Sequence, residues 1–390
     1  MAFRFIVPAL AVAGRVVAQQ CGSGGTTTIQ NAGDASALGS CSTYSGTIAV
    51  ATGTTDDLDF GDLQAVDGSL EVTKVDQLSS ISGAGLRKIS DTFLLREVQI
   101  LTNLNFPQLS EVDTLNWNAL PNLNGLSFTT GLQMVKRMGI QNTGLQSLAG
   151  INLRSVDEFF VVNNNQLNEI DMQLEYVETA LTLAANGDEV SVSFPNMQWA
   201  FNVTLRNVTE ADFPSLSSLN GSMGFYSNFM TKINLANLTE VGSSLAFVSN
   251  EALTNISLPE LTKIGGGLQI ANNTDLSTID GFPKLESVGG AIDINGAFKK
   301  VEFPALEDVR GAMNLQSTKD ISSICDRFEE EAGSNKVIKG KYTCVSNNED
   351  PSGLDSDGSS SSDSSSVATA VYISGPLGVL GVLAAVFGML

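Results

Sequence analysis

Residues 282–294 read Phe-Pro-Lys-Leu-Glu-Ser-Val-Gly-Gly-Ala-Ile-Asp-Ile, and residues 258–270 repeat the pattern as Leu-Pro-Glu-Leu-Thr-Lys-Ile-Gly-Gly-Gly-Leu-Gln-Ile. Each stretch has an apolar residue before proline, a leucine two positions after it, a glycine turn and a final alternating apolar pair. The leucine recurs in steps of 19 to 24 residues, with Met197 in its place once. Its positions are Leu63, Leu86, Leu109, Leu132, Leu153, Leu174, Met197, Leu216, Leu238, Leu261, Leu285 and Leu306. A period of this length is typical of a solenoid, in which each repeat forms one coil.

The end of each repeat predicts a short strand. Apolar residues alternate there with a period of two, as in Leu245 and Phe247 or Met313 and Leu315, which indicates a strand with one face inward. One such strand cannot bury its own apolar face, so neighbouring repeats must stack and pair in parallel. The pattern therefore predicts an all-β protein: a right-handed parallel β-solenoid of the leucine-rich-repeat type. We expect little helix, with residues 321–332 the one amphipathic candidate.

A second recurrence is a series of asparagines just after the strands, spaced by 21, 42, 22 and 23 residues. Its members are Asn165, Asn186, Asn228, Asn250 and Asn273. Stacked asparagine side chains can satisfy turn backbone groups that have no partner in a sheet. We interpret the series as a structural ladder; the functional alternative is an amide-lined groove for a glycan.

The cysteines frame the repeats. Cys21 and Cys41 precede them, and Cys325 and Cys344 follow them. Four cysteines in a secreted chain allow three disulfide connectivities. Local pairing at each end is favoured, because the terminal coils of a solenoid expose apolar faces and need caps. A zinc site is the poorer alternative, since the chain contains no C-x-x-C motif.

Both ends of the chain have the composition of targeting signals. Residues 1–18 combine Arg4, a short apolar run and a small residue, Ala18, which predicts a signal peptide cleaved after Ala18. Residues 347–366 are rich in Ser, Gly and Asp, and residues 367–390 are small and then apolar to the end. A spacer followed by a terminal apolar tail predicts a GPI anchor and removal of residues 367–390. The repeat ectodomain is then residues 19–346.

The predicted attachment residue lies within the spacer. The candidates are Gly358, Ser364, Ser365 and Ser366. The alternative is a transmembrane helix at the C-terminus. It is disfavoured because no Lys or Arg follows the apolar tail, whereas such a helix usually carries them on its cytoplasmic side.

Composition excludes several classes of function. The chain has 42 Asp+Glu, 21 Lys+Arg and no His, a formal charge of −21, so nucleic acid is a poor partner. The absence of His removes Ser-His-Asp and Cys-His catalysis and His-ligated zinc. We predict no catalytic residue, no metal site and no cofactor. For Trp117 and Trp199, core packing is favoured over stacking on sugar rings.

Six N-glycosylation sequons lie close together in residues 202–274. Their asparagines are Asn202, Asn207, Asn220, Asn237, Asn255 and Asn272. Six sequons behind a secretion signal predict that several carry glycans, although a chain rich in Asn, Ser and Thr also produces sequons by chance. Residues 60–200 contain none and are the better candidate for a partner surface.

Taken together, these features resemble the fungal GPI-anchored cell-wall organisation proteins with receptor L-domain-like repeats, a group that includes the sporulation-specific wall protein. The segments that carry the resemblance are residues 21–46, the repeats ending at residues 303–306, and residues 324–344. The resemblance implies a plasma-membrane or wall location, a need for normal wall assembly and no catalytic residues. The spacer is short for this group, which favours residence close to the membrane.

The sequence therefore favours a non-enzymatic GPI-anchored glycoprotein on the outer face of the plasma membrane or in the wall. It would act as a scaffold or binding module, with wall polysaccharide or other wall and surface proteins as partners. One alternative is a receptor-like surface sensor, although a GPI anchor carries nothing into the cytosol. The other is a glucan-remodelling enzyme that uses two carboxylates.

Overall fold

The residues that mark the repeat all lie in the protein core. In the computed structural model, which describes residues 20–354, Leu306 is the most exposed of them at 8%. The chain winds into a parallel β-solenoid of about 13 turns with 5% helix. The all-β solenoid predicted from the repeat is confirmed.

The strands are short and follow one another closely. In the first part of the chain they are β1 (Gln20–Cys21), β2 (Thr26–Ile29), β3 (Thr43–Ser45), β4 (Thr47–Val50), β5 (Leu58–Asp59), β6 (Ala65–Asp67), β7 (Leu70–Thr73), β8 (Ser80–Ser82), β9 (Lys88–Arg96), β10 (Asn103–Asn105), β11 (Glu111–Leu120), β12 (Met134–Thr143), β13 (Ser155–Val162), β14 (Glu169–Asp171), β15 (Tyr176–Ala184), β16 (Ser191–Ser193) and β17 (Trp199–Arg206). In the second part they are β18 (Glu210–Asp212), β19 (Ser218–Leu219), β20 (Met223–Tyr226), β21 (Lys232–Asn234), β22 (Glu240–Val241), β23 (Leu245–Val248), β24 (Asn255–Ser257), β25 (Lys263–Ile264), β26 (Leu268–Ala271), β27 (Thr278–Ile279), β28 (Ser287–Val288), β29 (Ile292–Gly296), β30 (Lys300–Val301), β31 (Asp308–Val309), β32 (Met313–Ser317) and β33 (Tyr342–Val345). The helices are α1 (Ala32–Leu38) and α2 (Ser322–Glu330).

One long sheet, the main sheet, runs the length of the solenoid, and every pairing in it is parallel. The register joins equivalent positions of successive repeats, as in Met223 to Leu245 and Leu245 to Leu268. Shorter strands on the opposite side form small sheets, such as the one in which β16 lies between β14 and β18. Each coil therefore supplies one row of inward side chains from either side.

Aromatic rings fill the interior between the sheets. The phenylalanines of the Phe-Pro pairs are buried, and Phe194 stacks on Phe213 in the next coil with ring centroids 5.5 Å apart. Phe225 and Phe247 stack in the same way at 5.3 Å. Because burying such a side chain contributes about 2–3 kcal/mol, the repeat sets the stability of each coil interface.

An asparagine ladder runs through the turns after the main strands. Asn250 is fully buried; its Nδ2 donates to the carbonyl of Phe225 (3.0 Å), and its Oδ1 accepts the amide of Asn228 (3.0 Å). Asn273 makes the same contacts one coil later. The ladder lies in the interior and serves the backbone, as the structural interpretation requires.

One predicted member of the ladder is wrong. Asn165 is exposed, and Asn164 is the buried residue that bonds to Asn186 and to the carbonyl of Ile140. The error arises from strand parity. Val162 is apolar but turns outward, so the last inward residue is Val161, and the ladder residue follows it by three positions.

The two ends are closed by disulfides. Cys21 is joined to Cys41 and Cys325 to Cys344, with Cα–Cα separations of 5.8 and 5.6 Å. Helices α1 and α2 lie within these two caps. The disulfides that the sequence favoured are therefore present at both ends.

The chain does not leave the fold at its last cap. Residues 347–354, which the sequence assigns to the spacer, run back across the outward side of the last strands and hydrogen-bond to them. We call these residues the strap.

Candidate binding surface

The outward side of the main sheet is the largest regular surface of the molecule. Between the two buried positions of each strand, one side chain points away from the core. From β9 to β17, the residues at this position lie opposite one another in neighbouring strands, and all of them are half-buried. They are Leu94, Asn116, Gly139, Phe160, Thr182 and Thr204. We call this side the outer face.

A groove lies across the outer face in the stretch without sequons. It has a volume of about 410 Å³, and Lys88, Glu111, Met134 and Lys136 are among its lining residues, with Ser155 at one end. Met134 is 55% exposed. A smaller hollow of about 180 Å³ lies alongside, where Gly139 supplies no side chain. Both are open to solvent and mixed in polarity, which suits a polar polymer more than a small apolar ligand.

Ion pairs order the charged side chains of the groove. Asp113 Oδ1 is 2.6 Å from Lys136 Nζ, and its Oδ2 is 3.2 Å from Arg137 Nη2. The pKa of Asp113 lies below its ordinary value, mainly because Lys136 donates a hydrogen bond to its carboxylate. Asp113 is therefore ionised at neutral pH and serves as a hydrogen-bond acceptor.

An aromatic stack stands beside the groove. Tyr176 and Trp199 are paired in adjacent strands, with ring centroids 5.5 Å apart and planes inclined by 5°. Both residues are half-buried, and Phe201 in the same coil is 41% exposed. Smaller side chains, Ser155 and Ser218, occupy the equivalent positions on the two sides of the stack.

The two tryptophans thus differ in their environment. Trp117 is buried and meets Phe93 edge-on, with ring centroids 5.7 Å apart. The expectation of core packing is wrong for Trp199, because its strand places it on the outer face. In the sequence it directly precedes Ala200, which is buried, and composition alone does not show which of two adjacent apolar residues turns inward.

The predicted glycosylation residues are spread around the coils. Asn220, Asn237, Asn255 and Asn272 are exposed, and Asn207 is half-exposed. Asn202 differs, because its Nδ2 donates to the carbonyl of Thr179 (3.2 Å) and its Oδ1 accepts the amide of Ser222 (2.9 Å). It bridges three successive coils, so its side chain already has a structural role.

Other predicted features lie outside the described residues. These are the signal peptide (1–18), the removed tail (367–390) and the attachment candidates Gly358, Ser364, Ser365 and Ser366. Between residues 20 and 354, no helix combines the length and the apolar character that a membrane crossing needs. The same residues hold no cluster of three Cys, Asp or Glu side chains that could bind a metal.

Comparison with known proteins places the chain in a family. Residues 1–39 match the family model Ecm33, described as GPI-anchored cell wall organization protein. Protein ecm33 of Aspergillus fumigatus is 40% identical over 369 residues, which cover 94% of this chain and 91% of the relative. The chain belongs to the Ecm33 family of GPI-anchored cell wall organisation proteins.

Other members of the family extend this match. The cell surface GPI-anchored protein of Arthroderma benhamiae is 39% identical over 349 residues, 89% of this chain and 88% of the relative. Sporulation-specific protein 2 of Saccharomyces cerevisiae is 31% identical over 291 residues, 74% of this chain and 58% of the relative. The resemblance to the fungal GPI-anchored cell-wall organisation proteins is confirmed. No solved structure matches the chain.

Two features of the site were not found from the sequence. The first is the aromatic stack, although Tyr176 and Trp199 lie one repeat apart and that spacing was the available signal. The second is the contact between the strap and the buried carboxylate of Asp293. No periodic signal marks the strap, because it lies outside the repeats.

Proposed function

We propose that this protein is a non-catalytic surface glycoprotein, held by a GPI anchor, that organises the fungal cell wall by binding wall polysaccharide on its outer face. The matching family model is described as GPI-anchored cell wall organization protein, and the Arthroderma benhamiae relative is a cell surface GPI-anchored protein, which supports the location. The observation that carries the binding role is the half-buried Tyr176–Trp199 stack beside a polar groove.

The stack and the groove offer the two kinds of contact that a sugar chain needs. Aromatic faces pack against the apolar face of a pyranose ring, while hydroxyl groups require hydrogen-bond donors and acceptors. Lys88, Glu111 and the Asp113–Lys136 pair supply fixed donors and acceptors along the groove. Because the strands repeat every 4.8 Å or so, the surface presents these groups in a row, which suits a polymer.

The same geometry disfavours hydrolysis. A glycosidase needs one carboxyl group whose pKa is raised so that it can donate a proton. In the groove the pKa of Asp113 is lowered by Lys136. We therefore assign its carboxylate to binding. The distribution of sequons fits this role, because all six follow the groove residues in the chain.

The test is a sedimentation assay with insoluble β-1,3-glucan, chitin and mannan, using the mature protein. We expect retention on at least one polymer, and a loss of affinity of about tenfold in Tyr176→Ala or Trp199→Ala, about 1.4 kcal/mol. Phe229→Ala is the matched control, since this residue is 55% exposed but lies in a turn. Equal retention of all three variants would refute the site, and absence of any retention would refute the binding role.

Two further measurements separate the remaining claims. Incubation of the protein with glucan and chitin oligomers should leave product length unchanged, and cleavage or transfer would show an enzyme. Phosphatidylinositol-specific phospholipase should move the protein from the detergent phase to the aqueous phase. Mass spectrometry of the mature C-terminus would then decide among Gly358, Ser364, Ser365 and Ser366.

A further inference from the structure

The outer face changes character in the last coils. In β29 and β32 its residues are Asp293 and Asn314, which are only 4% and 1% exposed. The equivalent residues Asn116 and Thr182, in earlier coils, are half-buried. The strap lies over these last coils and contacts both side chains.

Side chains of the sheet bind the backbone of the strap. Ser352 uses both of its backbone groups: its amide donates to Gln316 Oε1 (3.0 Å), and its carbonyl accepts from Asn314 Nδ2 (3.0 Å). Two residues later, the amide of Leu354 donates to Asp293 Oδ2 (3.2 Å). This i, i+2 spacing is that of an extended strand. The amide and carboxylate side chains thus take the place of a neighbouring β-strand.

The side chains that bind the strap are also hydrogen-bonded to one another. Asn314 Nδ2 also donates to Asp293 Oδ1 (2.8 Å), and Gln316 Nε2 donates to Asn314 Oδ1 (3.0 Å). Each amide therefore has its oxygen and nitrogen fixed by the network. We call Asp293, Asn314 and Gln316 the amide groove.

The strap fits closely at a glycine. A Cβ atom added to Gly353 would lie 2.8 Å from Asp293 Oδ2 and 3.5 Å from Asn295 Nδ2. A side chain at this position would displace the carboxylate that holds Leu354. The preceding Pro351 restricts the backbone toward the extended form that the groove accepts.

We propose that the amide groove is a binding site for an extended peptide with a glycine at its centre, and that its ligand is the strap of the same molecule. The segment that leads toward the anchor region is then latched to the outer face, and the folded domain includes residues 347–354. This inference does not depend on polysaccharide binding. Residues 347–354 then belong to the folded domain and not to the spacer that the composition indicated.

Hydrogen exchange of the mature protein, measured by mass spectrometry, tests the latch. In the wild type we expect protection of the strap amides. Ser352→Pro removes the donor to Gln316, and Gly353→Val crowds Asp293; both should raise strap exchange by about tenfold or more. Neither substitution lies within a coil, so the repeats should keep their protection. Ser356→Pro, two residues beyond the strap, is the matched control.

The outcomes are distinct. Strap exchange in Ser352→Pro and Gly353→Val equal to that of the wild type would overturn the proposal. Light scattering supplies the second readout, because a strap bound to another copy would give a dimer. A dimeric wild type that loses strap protection on dilution would overturn the intramolecular latch, whereas a protected monomer supports it.

Discussion

Replacing Asn250 by alanine tests whether the asparagine ladder holds the coils together. Asn250 is fully buried and supplies a donor to the carbonyl of Phe225 and an acceptor to the amide of Asn228. Alanine removes both, so two buried backbone groups lose the partner that Asn250 gives them. At about 1–3 kcal/mol for each unsatisfied group, the variant should lose about 2–6 kcal/mol. That is a large part of the stability of an ordinary domain.

Urea unfolding followed by circular dichroism measures this loss. Solenoids can unfold in segments, so the midpoint of the first transition is the quantity to compare. The matched control is Asn165→Ala, because Asn165 is the exposed neighbour of the true ladder residue Asn164. A surface change of this kind should cost about 0.5 kcal/mol or less. If Asn250→Ala and Asn165→Ala unfold at the same urea concentration, the ladder does not stabilise the coils.

Three other predictions follow from single contacts. Glycopeptide mass spectrometry should find lower occupancy at Asn202 than at Asn255, because only the former has both side-chain groups bonded within the sheet; equal occupancy would contradict this. Burial raises the pKa of Asp293, and its hydrogen-bond partners are neutral groups, so the closed strap should become more stable as the pH falls from above that raised pKa toward 3.8. Hydrogen exchange of the strap, measured at each pH, should show this pH dependence in the wild type and not in Asp293→Asn. Replacing Cys325 and Cys344 together by serine should lower the free energy of unfolding by about 3 kcal/mol, because the disulfide closes a loop between residues 19 positions apart. Urea unfolding measures this loss, and an unchanged midpoint would show that the cap does not need the disulfide.

The sequence predicted the parts of the fold that repeat. The leucine anchors are spaced by one coil, so each position reports on the same environment, and errors at one repeat are corrected by its neighbours. Met197 illustrates this, because it is the weakest match to the pattern and is nevertheless fully buried in register. The cap disulfides followed from the same reasoning, since a stack of coils has two exposed ends.

Predictions failed where a single side-chain direction mattered. Counting three positions from Val162, the last apolar residue of the strand, gives Asn165, but hydrophobicity does not report which of the adjacent valines Val161 and Val162 turns inward. Core packing is expected for Trp199 because it is an aromatic residue among repeat positions, but its strand turns it outward. The strap could not be predicted, because its stability comes from hydrogen bonds to specific side chains that lie more than 30 residues earlier in the chain, and its composition is that of a linker.

The path of the strap also decides how the domain would carry mechanical load. It crosses from Gln316 in β32 to Asp293 in β29, so tension applied beyond Leu354 enters through the sheet face and not through the terminal cap. Pulling outward there breaks the bond to Asp293 first and the bonds of Ser352 next, one at a time. Sequential rupture needs less force than shearing parallel bonds together. The strap would therefore act as a sacrificial link that yields before the Cys325–Cys344 cap is strained.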